Sequence, residues 1–304
     1  IAATGAYISV GNQLPGALWM DGGLVAFTNA YLSVGSGNKT IDGGYVRLNG
    51  GEISLRAEAD QNAANLGNSS SYSSVHVSGG TFKTRRSGVT GEVYFKVALG
   101  SNKATDIYVD GGFFDMWNER FGLGYWGSDV RGARATLTVD GNGRAYLHLP
   151  VMGRNGVGNM AIINLRGGRF ELSRGFATYG NTGNMRFFNL DGGTLALVRD
   201  TRSGYVGGLD TTCRNIVYPG GVTIEVPNSV GSQNSAPFRA AEGYGVSEIT
   251  LTNPGSGYVT APEVKITGGV GSNATASAVL NKDRTLEKVV VTCRGEGYAA
   301  DDAE

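Results

Sequence analysis

Five aspartates, Asp21, Asp42, Asp110, Asp140 and Asp191, each stand directly ahead of a glycine at matching points of the chain. Rows of carboxylates of this kind can bind Ca²⁺, and pairs of them can cleave glycosidic bonds by acid and base catalysis. The equivalent points elsewhere carry Asn49, Ser78 and Arg166. Such interchange favours a simpler role, in which a short polar side chain caps its own turn by accepting from nearby backbone N–H groups. His76 and His148 are the only histidines, and no Gly-x-Ser-x-Gly elbow accompanies them. Lys83, Arg85 and Arg86 offer a base for lyase chemistry, or equally a solvated edge that discourages sheet pairing. The segment from Phe113 to Arg134 holds Trp117, Glu119, Arg120, Phe121, Tyr125, Trp126, Asp129 and Arg131. Aromatic and guanidinium groups together suit a sugar or protein contact surface, and Trp117, Tyr125, Trp126 and Arg131 are the candidate contact residues. The alternative is that the rings pack over the fold as a satellite cluster. No catalytic residue and no metal ligand is assigned, and no cofactor is expected, Ca²⁺ being the one ion the aspartates would suit.

A repeat sets the position of these residues. An alternating run, a Gly-Gly turn and a second alternating run recur at Leu18–Val25, Val46–Ile53, Val75–Phe82, Ile107–Phe114, Ile163–Phe170 and Phe188–Leu195, with an altered turn at Leu137–Gly143. Successive turns lie roughly 25 to 32 residues apart, within the range of solenoid repeats. Between them an apolar residue precedes glycine, as at Val10-Gly11, Val34-Gly35, Leu99-Gly100, Tyr179-Gly180 and Val206-Gly207. A unit this short cannot bury an apolar face alone, so the units must stack and share one core. Alternation assigns Leu48 with Ile53, Val77 with Phe82, Val109 with Phe114, Leu165 with Phe170 and Leu190 with Leu195 to the interior. Phe113 to Arg134 fills the longest gap between turns and is expected to include a loop projecting from the stack.

Composition agrees with an all-β chain. Fifty glycines against seven prolines, in 304 residues of which 17% are charged, suit short strands and tight turns. No stretch carries helical periodicity free of Gly or Asn. Formal net charge is zero, and without a basic stripe nucleic-acid binding is not expected. No apolar run is long enough to span a bilayer, and the first residues lack the pattern of a signal peptide, so a mature or excised fragment is expected. Cys213 and Cys293 share a Thr-Cys-Arg context. One long-range disulfide, or two free thiols able to join subunits, both remain open.

Beyond Val206-Gly207 the pattern changes, with Pro219–Val226 expected to close the stack. Val246–Tyr258, ending Asn253-Pro254-Gly255-Ser256-Gly257-Tyr258, is echoed by Leu286–Tyr298, and between the copies stand Ala261-Pro262 and Thr267-Gly268-Gly269. These phrases resemble the Gly-Ser-Gly-Tyr and Ile-Thr-Gly-Gly repeats of large bacterial autotransporter-associated β-strand-repeat proteins and of some phage tail proteins. The Gly-Gly units and the step Gly220-Gly221-Val222-Thr223-Ile224 resemble such passengers too. The resemblance implies a secreted or surface-displayed stalk, adhesin or fibre segment.

The expected organisation is a right-handed parallel β-helix of about seven or eight coils over residues 1–226, a linker over 227–244, and a small duplicated β-module over 245–304. The expected function is a non-catalytic structural or adhesive solenoid, part of a large extracellular or bacterial cell-surface protein. Its partners would be further copies or neighbouring repeats forming a fibre, or glycans and host surfaces, with no membrane insertion by this segment. The alternative is a carbohydrate-active β-helix enzyme or a tailspike-like polysaccharide depolymerase, with Asp110, Asp115, Glu119 or Asp129 sharing a groove with Trp117 and Trp126.

Overall fold

The computed structural model describes residues 1–4, 7–35, 43–57, 62–68, 72–86, 93–98, 100–124, 130–153, 156–176, 183–198, 213–226 and 237–300. Among them every regular element is a strand. β1 (Ala2–Thr4) and β2 (Tyr7–Val10) open a stack whose next coils each carry three strands. These are β3 (Gly16–Met20), β4 (Leu24–Thr28) and β5 (Tyr31–Val34); β6 (Gly44–Leu48), β7 (Glu52–Ala57) and β8 (Asn62–Leu66); and β9 (Tyr72–Val77), β10 (Thr81–Arg86) and β11 (Val93–Val97). In the following two coils β12 (Ala104–Val109) leads to β13 (Phe113–Leu123), and β14 (Arg134–Val139) to β15 (Arg144–Met152). Two-stranded rungs complete the stack: β16 (Met160–Leu165) with β17 (Arg169–Leu172), β18 (Met185–Leu190) with β19 (Thr194–Leu197), and β20 (Arg214–Val217) with β21 (Thr223–Glu225), then β22 (Phe238–Ala240) alone.

The strands pair in parallel with their counterparts one coil away. One sheet has nine strands, from β3 through β6, β9, β12, β14, β16, β18 and β20 to β22. The other has thirteen, because β13 pairs with β10 through its first half and with β11 through its second, so that two sides of the coil merge. The fold is the expected all-β solenoid. Beyond Met152 the third side carries no strand among the described residues, and the end rungs are partial.

Each expected interior pair is in place: Leu48, Ile53, Val77, Phe82, Val109, Phe114, Leu165, Phe170, Leu190 and Leu195 are all fully buried. In-register pairing lines up Val25, Ile53, Phe82, Phe114, Ala145, Phe170, Leu195 and Ile224 as one column along the stack. Beside it Phe82, Phe95, Phe114 and Phe121 pack with ring centroids 5.5 to 6.0 Å apart. Within the segment expected to include a projecting loop, Phe113–Leu123 is a strand, with Phe121 in this core cluster, and residues 125–129 lie outside the described residues. The four aromatic rings reward continuation of the ladder, and a register shift between Met116 and Arg120 takes up the corner.

Coil-to-coil approach explains the Gly-Gly turns. A Cβ on Gly79 would lie 2.1 Å from the Asn49 carbonyl oxygen of the coil below, and Gly80 has φ +66°. The first glycine makes room for a neighbouring backbone and the second supplies a left-handed turn.

Past β22 the chain folds back over the nine-stranded sheet. β23 (Thr275–Leu280) and β24 (Leu286–Cys293) form an antiparallel hairpin that lies along the stack axis. Leu280 and Leu286 pack with Trp19 and Tyr45 near its start, and Cys293 packs with Ile216 and Tyr218 near its end. Both faces of β9 and β12 are buried in consequence.

The duplicated copies pair reciprocally. The Leu286 N–H donates to the Pro254 carbonyl at 2.9 Å, and the matching Val246 N–H donates to the Arg294 carbonyl at 2.8 Å. Likewise the Tyr258 N–H donates to the Arg284 carbonyl at 3.1 Å, and the Tyr298 N–H to the Tyr244 carbonyl at 3.1 Å. Gly255, Gly257, Gly295 and Gly297 all have positive φ. The two copies differ in one respect: the second begins as strand β24, whereas Val246–Thr252 forms no strand.

Candidate functional site

Stacking brings the turn-position side chains into a row along the edge of the nine-stranded sheet. Asn49 Nδ2 donates to Asp21 Oδ1 at 2.8 Å, and the Ser78 hydroxyl donates to Asn49 Oδ1 at 2.8 Å. Asp110 Oδ1 lies 2.9 Å from His76 Nε2, and Asp140 Oδ2 accepts from the Tyr108 hydroxyl at 3.2 Å. Capping of the residue's own turn occurs at Asp140, which accepts from the Gly141 N–H at 2.8 Å, while Asp191 accepts from the Gly220 N–H of the next coil at 3.0 Å. Asp42 lies outside the described residues. The four described turn carboxylates, Asp21, Asp110, Asp140 and Asp191, are each held by a cation, an amide, a hydroxyl or an imidazole rather than by one another. Among the described residues no three His, Cys, Asp or Glu side chains converge as metal ligands.

The row instead fastens the C-terminal module. Lys282 Nζ reaches Asp21 Oδ2 at 2.6 Å, and Arg294 Nε reaches Asp191 Oδ2 at 2.8 Å. Contacts with Asn49 and Lys282 hold the Asp21 carboxyl below its ordinary pKa. Between these ends, Arg47 donates to the Leu280 carbonyl at 2.8 Å, Arg134 pairs with Glu263 at 3.2 Å, and Arg166 donates to the Val291 carbonyl. Arg239 and Glu296 pair beyond. Guanidinium groups that are scattered in sequence therefore form a ladder of contacts along one face, in the spacing that the coils impose.

Both histidines are buried. Burial pushes the His76 pKa down despite its Asp110 partner, and His148 Nδ1 lies 2.9 Å from the Ser173 hydroxyl. The thirteen-stranded sheet is open to solvent on its outer side and carries cross-coil ion pairs: Lys83 with Glu52 at 2.7 Å, Arg85 with Asp115, Arg144 with Glu171 at 2.7 Å, and Arg169 with Glu225 at 2.8 Å. Arg85 also lies 5.9 Å from the ring centre of Trp117, which is 41% exposed. Asp115 thus shares a surface with Trp117, whereas Asp110 faces the hairpin on the other sheet. Arg131 is exposed at a turn, where its N–H donates to the Ser101 hydroxyl. Tyr125, Trp126, Asp129 and the side chains of Arg86 and Glu119 lie outside the described residues.

Cys213 and Cys293 are free thiols in separate buried clusters. Cys213 Sγ stands 3.7 Å from Met152 Sδ, and Cys293 Sγ stands 3.3 Å from the Tyr218 hydroxyl. Neither the disulfide nor an intersubunit thiol link fits this placement, since each sulfur fills the interior of its own cluster.

Sequence reasoning missed an asparagine stack at one corner. Asn159 Oδ1 accepts from the Ala133 N–H at 2.9 Å, Asn184 Oδ1 accepts from the Asn159 N–H at 3.0 Å, and Asn184 Nδ2 donates to the Gly153 carbonyl at 2.8 Å. The signal was the Gly-Asn-Met triplet that precedes both β16 and β18.

The class that the fold defines is a parallel β-solenoid with a hairpin-bearing module docked along one sheet. Comparison of the chain with protein-family models, curated proteins and solved structures finds no match.

Proposed function

We propose that this chain is a non-catalytic structural or adhesive segment of a large secreted or bacterial cell-surface protein, and that it associates end to end into fibres. The observation that carries the reading is the treatment of its polar groups. Charged side chains on both sheets are matched to one another or to the module, coil after coil, so repetition extends the stack without assembling a reaction centre. Fibre growth is supported at the last coil. Thr223, Ile224 and Glu225 of β21 are all exposed, and among the described residues Ile224 ends the interior column and β21 has a ladder partner on one side only, so an incoming rung would find both a ladder edge and an apolar contact. Extracellular placement and adhesion rest on the resemblance of the repeats. Negative-stain electron microscopy tests the assembly: rods joined end to end, unchanged by reductant, are expected, and dispersed single particles at all concentrations would count against it.

The carbohydrate-active reading has one foothold, the exposed Trp117 beside Arg85 and Asp115. A glycan array with the native chain and Trp117→Ala separates adhesion at this patch from no binding there.

A further inference from the structure

Beneath the hairpin, Tyr45, Ser74 and Asp106 occupy one outward column on three successive coils, as cross-strand partners in β6, β9 and β12. His76 stands two residues along β9 from Ser74, on the same face. With Ser277 of β23 these four residues line a cavity of about 10 Å³ between sheet and hairpin. Tyr45, Ser74, Asp106 and His76 are 1%, 7%, 2% and 4% exposed. Each has one atom without a hydrogen bond of ordinary geometry inside the protein: Tyr45 Oη, Ser74 Oγ, Asp106 Oδ1 and His76 Nδ1.

Their hydrogen-bonding capacities are complementary. Asp106 Oδ2 accepts from the Tyr72 hydroxyl at 2.9 Å, which leaves Oδ1 as an acceptor. His76 Nε2 faces a carboxylate, Asp110, which can only accept, so Nε2 carries the proton and Nδ1 of the neutral ring is an acceptor. Tyr45 has a hydroxyl proton to give, and the Ser74 hydroxyl, which also lies beside the Tyr72 hydroxyl, can turn its proton toward the cavity. Two acceptors and two donors are what one water molecule satisfies, and the volume is about that of one water.

We propose that this cavity is a binding site for a single buried water, which donates to Asp106 Oδ1 and His76 Nδ1 and accepts from the Tyr45 and Ser74 hydroxyls. The water ties three coils together under the hairpin and satisfies side chains that would otherwise be buried without partners. A cation suits the site less, because the Arg134 guanidinium stands 3.7 Å from Asp106.

A crystal structure of the full chain at about 1.5 Å or better tests this directly. One water within about 3.2 Å of all four atoms is expected, and it should vanish in Ser74→Val, whose second methyl group would fill its place. A dry cavity in the native protein, with the four groups bonded to one another, would overturn the proposal. So would a peak with anomalous signal and contacts near 2.3 Å, which would identify a metal ion instead.

Discussion

Asp191 closes a Gly-Gly turn of the solenoid, Arg294 follows the last strand of the C-terminal hairpin, and Arg294 Nε donates to Asp191 Oδ2 at 2.8 Å. At the far end of the same row Lys282 holds Asp21. A side chain whose local task is to shape a turn thus also anchors a module far along the chain. The hairpin spans the coils between, bracing them against separation along the axis, in which each coil otherwise contacts only its neighbours.

Asp191→Ala removes both the Arg294 contact and the acceptor for the Gly220 N–H. Discounting the partly exposed Arg294, the loss should be about 1 to 2 kcal/mol. Limited proteolysis should release the module from Asp191→Ala faster than from the native chain, while the solenoid core persists. Equal cleavage rates would show that the clamp contributes nothing.

Glycines of the same motif should differ sharply. Gly22→Ala meets nothing within 4 Å and its φ is not in the left-handed region, whereas Gly79→Ala drives a methyl into the Asn49 carbonyl. Urea unfolding should place Gly22→Ala within about 0.5 kcal/mol of the native protein, and Gly79→Ala should fail to reach a native far-ultraviolet spectrum or unfold at far lower urea. Similar midpoints for the two variants would contradict the coil-contact explanation.

Phe114 lies at the centre of the phenylalanine cluster and is fully buried. Phe114→Ala should cost roughly 3 to 5 kcal/mol, read from the urea midpoint at constant slope.

Acid should loosen the covered seam. Burial holds His76 below its ordinary pKa, Arg47 and Lys288 add to that effect, and Asp110 opposes it. Tyr45, Tyr72, Asp106 and Tyr108 also line the space beside the ring. The unfolded chain takes up a proton on this residue near pH 6.5, while the folded chain resists it. The stability contributed is therefore complete above about pH 6.5 and is lost progressively below it. Urea midpoints between pH 8 and pH 5 should fall more steeply for the native protein than for His76→Gln, and parallel curves would rule the effect out.

The solenoid was legible in the sequence because its signals are local. Alternation and Gly-Gly turns fix each strand pair within a few residues, and Leu48 with Ile53 or Val77 with Phe82 follow directly. The docking of the module was not legible. Arg47, Arg134 and Arg166 become a ladder only once the coils are stacked, and their partners lie more than a hundred residues away. The strand Phe113–Leu123 was not legible, because it lies in the longest gap between turns, where the spacing breaks the repeat. Phe121, which closes an aromatic cluster from two successive coils, outweighs that irregularity. The turn position of the aspartates is legible in the repeat, but the anchoring contacts of Asp21 and Asp191 depend on side chains that the repeat does not contain.

We propose that this solenoid carries no hydrolytic or lyase chemistry. The full chain should be incubated with a panel of neutral and acidic polysaccharides and assayed for new reducing ends and for unsaturated uronate absorbance. No turnover above the buffer rate is expected for any of them. Cleavage of even one polysaccharide that is abolished by Asp115→Asn, in a variant with native stability, would contradict the account and assign the Trp117 surface to an enzyme.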